Sequence, residues 1–401
     1  MKNRHLTPDS PWLLGLLASL AALGPLTIDM YLPAMPAMRV ALDTHVGAIQ
    51  LTLSAYLVGF AVFHLLCGPL ADRFGRKPVI VSGIVLFIAA SIGCSLSATV
   101  EELLVFRFLQ GVGACVGPTL ARTIARDLFG PRRAARALSL IAMLMALAPA
   151  VAPTLGGWLM LAFPWPSIFV FLAVYAGVVL LLLARYLGES LPQRQSLHPR
   201  IILRNYRILL CSRPFMMTVI TSSLVYAGLV IYLASSAFVY LEMLGVSIKY
   251  FGAIFLTTVV GYVSGSALSA RLAGRFSSHR VMLLGITLAA AASVSMAIAG
   301  TLLPESVLAL MLPMMFYTAG LGLTLPHAMS LALHPYPHMA GTASALLGFI
   351  QMSVSAAASA VIGLFLVDSP TPMLIALALT SVAALALGQR AFKGQDHATD
   401  S

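Results

Sequence analysis

Two ionisable residues lie deep inside long apolar stretches of the chain and are the first candidates for chemistry. Asp29 lies within the sequence TIDMYLPAMP, and Arg107 lies within LVFRFLQGVGA. A carboxyl group that is removed from water favours its neutral form unless water, a cation or a hydrogen-bond donor stabilises the charge. A solute that displaces water from Asp29 therefore competes with the proton, which is the simplest chemistry of proton-coupled exchange. We predict that Asp29 and Arg107 couple proton and solute binding.

The spacing of these residues predicts that they lie at the same depth. Asp29 is about six residues before the end of the first apolar stretch, and Arg107 is about six residues after the start of the fourth. Because the two stretches run in opposite directions, both residues lie roughly 9 Å below one surface if the stretches are helical. Equal depth is what an ion pair or a shared cavity requires. Two alternatives stay open, a structural carboxylate at Asp29 and a static packing pair at Arg107.

The elements that must position these residues are membrane-spanning helices. Of the 401 residues, 60% are hydrophobic and only 9% are charged, whereas soluble domains contain roughly 25% charged residues. Twelve apolar stretches have the length of about 20 residues that a helical span needs, and they are too long for barrel strands. They are residues 12–35, 46–67, 78–98, 101–123, 135–162, 166–187, 215–241, 250–272, 281–303, 306–330, 340–366 and 371–388. The sequence therefore predicts an all-α integral membrane protein.

The net charge of +11 does not indicate a nucleic-acid partner, because of where the cations lie. If the N-terminus is cytoplasmic, nearly all Lys and Arg residues fall in loops on that side, and Arg39 and Lys249 are the clear exceptions. Short cytoplasmic loops of membrane proteins show this bias. We predict that both termini are cytoplasmic and that the cations attract membrane lipid. The four cysteines lack metal-ligand spacing, so we expect no disulfide, metal or cofactor.

The chain repeats a loop sequence at an offset of about half its length. Residues 70–79 and 272–281 match at five of ten positions. Such repeats are typical of transporters built from two similar bundles. We predict a six-helix bundle over 1–187, a cytoplasmic linker over 188–213 and a second six-helix bundle with a short tail over 214–401. The linker reads equally well as a helix on the inner leaflet or as a solvated segment.

The first copy of the repeated loop, residues 68–78, reads GPLADRFGRKP. Its glycines permit tight turns, and its acid can pair with the following arginine or cap the next helix. An aspartate at the inner end of span 4 is a second acceptor for that arginine. We predict that this cluster is a conformational latch. Its predicted members are Gly68, Asp72, Arg73, Gly75, Arg76 and Asp127.

The loop resembles the signature G-x-L-x-D-R-x-G-R-K/R of the major facilitator superfamily. Further motifs resemble the Bcr/CflA branch of drug/proton antiporters: DMYLPAMP at 29–36, IQLTL at 49–53, RTIARDLF at 122–129 and AGTASALLGFIQ at 340–351. The resemblance implies a major facilitator fold of twelve transmembrane helices in two pseudo-symmetric six-helix bundles. It also implies proton-coupled drug efflux by alternating access across the bacterial inner membrane.

Residues 146–157, ALAPAVAPTLGG, resemble the antiporter motif of span 5. The resemblance implies a gating helix that includes Pro149, Pro153, Gly156 and Gly157. Its small residues permit the close approach of another helix, for which we expect the pair Gly261 and Gly265 of span 8. Ordinary helix packing is the alternative interpretation.

Further polar and aromatic residues inside the spans are candidate substrate contacts. They are Tyr31, Gln110, Tyr226, Tyr232 and Gln351. Core packing or an interhelical hydrogen bond explains each of them equally simply. Two departures from the family pattern concern His64 and Ala21. His64 replaces a common glutamine and can titrate or make a helix contact. Ala21 replaces a second acid found in some drug antiporters, which favours a one-proton cycle.

These observations together predict a monomeric carrier, not an enzyme, with a small-molecule drug, protons and membrane lipid as partners. The expected substrates are small, mostly neutral or zwitterionic antibiotics of the phenicol or bicyclomycin type. The alternative is a facilitator for a native metabolite such as a sugar or an amino acid, with drug export incidental. A membrane enzyme or a sensor has no support, because the sequence shows no nucleophile–base pair, metal cluster or nucleotide-binding loop.

Overall fold

A computed structural model describes residues 10–191, 199–366 and 369–392 of the chain. The described residues form helices joined by short turns, with no β-strand among them. The helices are α1 (Pro11–Asp29), α2 (Met35–Ala41), α3 (Val46–Phe74), α4 (Arg76–Leu96), α5 (Val100–Ala114), α6 (Val116–Ala162), α7 (Pro166–Tyr186), α8 (Pro199–Cys211), α9 (Arg213–Ala237), α10 (Ile248–Leu272), α11 (Ser278–Leu302), α12 (Val307–Leu333), α13 (Ala340–Gly363) and α14 (Thr371–Phe392). The predicted all-α class is confirmed.

Twelve segments of the described chain are long and apolar enough to cross a membrane, as predicted. The chain divides into two compact units, Met1–Pro199 and Arg200–Ser401, each with six of these segments. The division falls inside the predicted linker, whose residues 192–198 lie outside the described ranges. So do residues 1–9 and 393–401, on which the expected side of both termini depends. The helix α8 groups with the second unit.

The first span differs from its predicted form because it contains prolines near its end. Helix α1 ends at Asp29, a 3₁₀ turn covers Leu32–Ala34, and α2 continues to Ala41. The apolar segment therefore ends about six residues later than the predicted limit of residue 35. This extension changes the residue count from the end of the span, and the equal depth of Asp29 and Arg107 stays a prediction.

Helix α6 contains the second part of span 4 and the whole of span 5 in one helical run that folds back on itself. Gly117 faces the carbonyl of Leu20, and Gly156 faces the carbonyl of Met30. Those two carbonyls are about 15 Å apart along the first span, whereas a straight helix would separate the two glycines by about 58 Å. The run therefore reverses between them, and both legs pack against α1.

Helix α5 lies tightly between α3 and α4 because glycines line its contacts. A Cβ atom at Gly111 would overlap the carbonyl of Tyr56, and one at Gly59 would overlap the carbonyl of Phe108. On the other side, Gly113 faces the backbone of Gly83. Small residues let helix backbones approach closely, and this packing sets the position of Arg107 on α5.

Candidate functional site

Arg107 is fully buried and lies against a group of aromatic rings in the first unit. Its guanidinium carbon is 4.3 Å from the ring centre of Tyr31, 4.6 Å from that of Tyr56 and 5.9 Å from that of Phe169. These rings come from the turn after α1, from α3 and from α7. Aromatic faces attract a cation, and the attraction is strongest where water is excluded. We call Tyr31, Tyr56 and Phe169 the aromatic cage.

Gln110 fixes the orientation of Arg107. The arginine Nη1 donates to Gln110 Oε1 at 2.7 Å, and Gln110 Nε2 donates to Ser91 Oγ on α4 at 2.9 Å. Ser91 in turn donates to the carbonyl of Phe87 at 2.7 Å. Both ends of the Gln110 amide are engaged within the protein. The structure therefore contains the interhelical hydrogen bond that the sequence left open for Gln110, and the substrate contact of this residue stays a prediction.

The remaining donors of the guanidinium have no acceptor among the described residues. Arg107 Nε and Nη2 are buried and without a hydrogen-bond partner. Arg107 forms no ion pair with Asp29 in the described structure, which was one of the two arrangements considered, and its guanidinium faces the aromatic cage. An unpaired buried charge is costly. Arg107 is thus a preorganised cation whose free donors suit an incoming acceptor.

The tyrosines of the cage are held by their hydroxyl groups. Tyr31 Oη bonds the hydroxyl of Thr52, which donates to the carbonyl of Ile49 at 2.7 Å. Tyr56 Oη donates to the carbonyl of Gly24 at 3.3 Å. Sequence reasoning named Tyr31 but missed Tyr56 and Thr52. Thr52 and Tyr56 are four residues apart and share one face of α3. Thr52 belongs to the motif IQLTL, so this motif was the signal in the sequence that could have indicated both residues.

Asp29 is the last residue of α1 and is buried, with 3% of its surface exposed. It lies two residues before Tyr31, whose ring contacts Arg107, and it forms no ion pair with the arginine in the described structure.

The predicted latch assembles around Arg76. Its guanidinium contacts Asp72 at 2.6 Å and Asp127 at 3.2 Å. Glu189, which sequence reasoning missed, accepts from the backbone N–H of Arg76 at 2.9 Å and of Lys77 at 3.2 Å. Free N–H groups at a helix start suit such a carboxylate. Glu189 therefore ties the segment after α7 to the start of α4.

Two other predicted members of the latch behave differently. Gly75 has φ of 105° and makes the turn between α3 and α4, as predicted. Gly68 lies inside α3, so the tight turn predicted there is wrong. The helix continues through Gly68 to Phe74, and the position of a Cβ atom at Gly68 is open space. Arg73 is exposed, and its guanidinium lies 5.2 Å from the ring centre of Phe74.

The class of the protein follows from the similarity of its sequence to a known family. The sequence pattern of the Major Facilitator Superfamily matches residues 17–360. The chain belongs to the Major Facilitator Superfamily. It is a multi-pass membrane transporter and not an enzyme.

Relatives with similarity along most of the chain support this assignment. An uncharacterized transporter of the superfamily, YdgK of Bacillus subtilis, is 33% identical over 353 residues, which cover 87% of this chain and 88% of that protein. The multidrug resistance protein MdtL of Escherichia fergusonii is 32% identical over 367 residues, covering 91% and 92%.

Solved structures share the fold of this facilitator at low sequence identity. A D-xylose–proton symporter aligns with a TM-score of 0.73 at 16% identity, over 94% of this chain and 97% of that chain. A peptide transporter aligns with a TM-score of 0.78 at 16% identity, over 95% and 93%. These similarities establish the fold alone.

The span 5 motif of this facilitator packs against the end of α1. A Cβ atom at Gly156 would overlap the carbonyl of Met30 and approach Pro33, on either side of the turn that follows Asp29. Pro153 and Gly157 are also buried, and Pro149 is half-buried. The expected glycine pair of span 8 has another neighbour. Gly261 and Gly265 face Met315 and Ala319 of α12.

The candidate substrate residues of the second unit are not brought into one cluster by the contacts of the described residues. Tyr232 is buried, and its hydroxyl lies 3.1 Å from that of Tyr240. Its ring also contacts Phe255, so Tyr232 belongs to an aromatic core. Tyr226 on α9 and Gln351 on α13 are half-buried.

His64 makes a helix contact, one of the two roles considered for it. Its Nδ1 lies 3.6 Å from the sulfur of Cys115, and its ring stacks on Phe60. Within the described residues no group of three or more His, Cys, Asp or Glu side chains is arranged to hold a metal ion.

Proposed function

We propose that this facilitator exports small neutral or zwitterionic antibiotics in exchange for protons across the bacterial inner membrane. The proposal includes membership of the Bcr/CflA branch, action as a monomer and a cycle of alternating access. The name of the relative MdtL, a multidrug resistance protein, supports drugs as the substrate class.

The observation that carries the proposal is the separation of Asp29 from Arg107. Both are buried in one unit, yet Arg107 lies in the aromatic cage and does not neutralise the acid. A buried carboxyl group without a paired cation binds a proton readily. Asp29 is therefore proposed as the proton site, and the free donors of Arg107 as the acceptor site for a carbonyl, nitro or carboxylate oxygen of the drug.

The latch and the span 5 motif are proposed to transmit the protonation state of Asp29. Gly156 faces the residue that follows Asp29, so a change at the end of α1 reaches the proposed gating helix directly. The cluster around Arg76 stabilises one of two states. Tyr226, Tyr232 and Gln351 remain proposed substrate contacts of the second unit.

The test uses everted membrane vesicles with a respiration-generated proton gradient. Addition of chloramphenicol or bicyclomycin should dissipate the gradient with the wild-type chain. Asp29→Asn should abolish this response while the protein stays in the membrane, because the amide keeps the shape and cannot titrate. Asp43→Asn is the matched control. Asp43 is an exposed acid in the turn after α2, and its φ of 43° is a conformation that Asn tolerates.

Two results would contradict the proposal. Drug-driven proton movement that persists in the Asp29→Asn variant would exclude Asp29 as the proton site. The second result is that neither chloramphenicol nor bicyclomycin moves protons with the wild-type chain, whereas a sugar or an amino acid does. That result would favour the metabolite carrier.

A further inference from the structure

The two units differ in the charges at the ends where the repeated loops lie. In the first unit, Arg76 is paired with two carboxylates and Glu189 caps α4. The corresponding end of the second unit is where α9 and α11 begin and where α10, α12 and α14 end. The described acids of that unit, Glu242 and Glu305, lie at the opposite helix ends.

Arginines are concentrated at this end of the second unit, whereas both described acids of the unit lie at the opposite helix ends. The arginines are Arg200, Arg204, Arg207, Arg213, Arg271, Arg275, Arg280 and Arg390. We call this region the basic end. Such a surface concentration of positive charge attracts an anionic partner.

A cavity of about 750 Å³ opens at the basic end. Its size lies within the roughly 300–1,000 Å³ of small-molecule sites. Its lining combines arginine and histidine side chains with an apolar wall. The arginines and histidines are Arg213, His279, His334 and Arg390, and the wall includes Phe215 and Leu331.

The wall of the cavity is held by contacts within the protein. Tyr336 Oη donates to Ser212 Oγ at 2.6 Å, and the ring of Tyr336 lies edge-on to Phe215 at 6.0 Å. Ser212 also caps α9 by accepting from the N–H of Phe215. The cavity is therefore preformed at the junction of α8 and α9.

Helix α8 presents basic and apolar faces beside this junction. Arg200, Arg204 and Arg207 recur at the spacing of one helix face. Leu203 and Leu210, seven residues apart, are 72% and 50% exposed. Basic residues beside exposed leucines are typical of helices that lie in a membrane interface.

We propose that the cavity at the basic end binds an anionic phospholipid, with its phosphate between Arg213 and Arg390 and α8 lying on the same leaflet. A lipid fits better than a soluble anion, because membrane-spanning helices line the cavity and exposed leucines flank it. Arginine also pairs well with phosphate through parallel hydrogen bonds. This site is separate from the proposed proton site, which lies in the first unit.

The experiment counts lipids bound to the purified full-length chain by native mass spectrometry. The probes are phosphatidylglycerol, phosphatidylcholine with the same acyl chains, and inorganic phosphate. The wild-type chain should retain phosphatidylglycerol in preference. Arg213→Gln with Arg390→Gln should weaken phosphatidylglycerol binding roughly 30-fold, which is about 2 kcal/mol, and leave phosphatidylcholine unchanged.

The matched control removes the same charge at the same end but outside the cavity. Arg271 and Arg275 are exposed near the end of α10 and do not line the cavity. Arg271→Gln with Arg275→Gln should keep the preference. The single change Arg390→Gln should weaken phosphatidylglycerol binding roughly 5-fold. It tests the cavity against the same control with less risk to folding.

Three outcomes would overturn the proposal. A wild-type chain without preference for phosphatidylglycerol excludes the site. Equal losses in both double variants show that diffuse charge alone attracts the lipid. Displacement of phosphatidylglycerol by an equal concentration of inorganic phosphate identifies a soluble-anion site. None of these measurements depends on transport, so their failure is distinct from failure of the proposed exporter.

Discussion

At the scale of single residues, Arg107 is stabilised by aromatic rings and a hydrogen bond rather than by an opposite charge. Two tyrosine rings and one amide oxygen surround a flat guanidinium, and the bond chain through Gln110 and Ser91 fixes its rotation. A contact between a desolvated cation and an aromatic ring contributes about 2 kcal/mol. Such contacts offset part of the cost of burying the charge.

Arg107→Lys should therefore fail almost as fully as Arg107→Ala. Lysine keeps the charge but lacks the planar fork that stacks on the rings and bonds Gln110. We expect the initial rate of drug uptake into everted vesicles to fall at least tenfold, a loss of about 1.4 kcal/mol. Arg126→Lys, at an exposed position of α6, should transport normally. Full activity of the Arg107→Lys variant would show that only a point charge is needed.

At the scale of elements, the turn between α3 and α4 is constrained by its backbone conformation and by a side-chain neighbour. Gly75 adopts a backbone conformation that other residues rarely enter, and a Cβ atom there would overlap the carboxylate of Glu189. The turn sets how Arg76 meets its two acids, so turn and latch form one structure. In the second copy, the left-handed turn is made by Gly274, with φ of 82°.

The two glycines of the signature loop provide a matched pair of substitutions. Gly75→Ala should destabilise the protein by at least about 1–2 kcal/mol, the cost of a left-handed conformation for an L-residue. Gly68→Ala should be neutral or stabilising by about 0.5–1 kcal/mol, because Gly68 is helical and has open space around it. Thermal unfolding in detergent measures both. Equal shifts in the two variants would contradict the assignment of the turn to Gly75 alone.

At the scale of the whole molecule, the two six-span units contribute unequally to charge inside the membrane. The first unit holds the buried Asp29 and Arg107, whereas the described acids of the second unit, Glu242 and Glu305, are exposed. With Asp29 and Arg107 as its deeply buried ionisable residues, the described interior of the first unit is near neutral when the acid is ionised. A permanent dication would lack the second carboxylate that it needs to offset desolvation.

Substrate charge should accordingly decide resistance. In an efflux-deficient host, expression of the chain should raise tolerance to phenicols much more than tolerance to bis-quaternary dyes. The measurement is the minimal inhibitory concentration across both classes, with Asp29→Asn as the inactive control. Strong resistance to the dyes without resistance to phenicols would refute this view of the interior and require another buried acid.

The sequence by itself determined the features that depend on local composition and spacing. Twelve spans follow from apolar stretches of sufficient length, and the units follow from the repeat at residues 70–79 and 272–281. The pair Asp72–Arg76 was also predictable, because the acid and the arginine stand only four positions apart on either side of the expected turn at Gly75. These inferences needed no knowledge of which helices touch.

Only the tertiary structure decided what surrounds the buried charges. Asp29 and Arg107 form no ion pair in the described structure, and Tyr31, Tyr56 and Phe169 reach the guanidinium from three other segments. Glu189 caps α4 across more than a hundred residues of chain. Contacts of this kind depend on helix packing and on side-chain direction, which a single sequence does not specify.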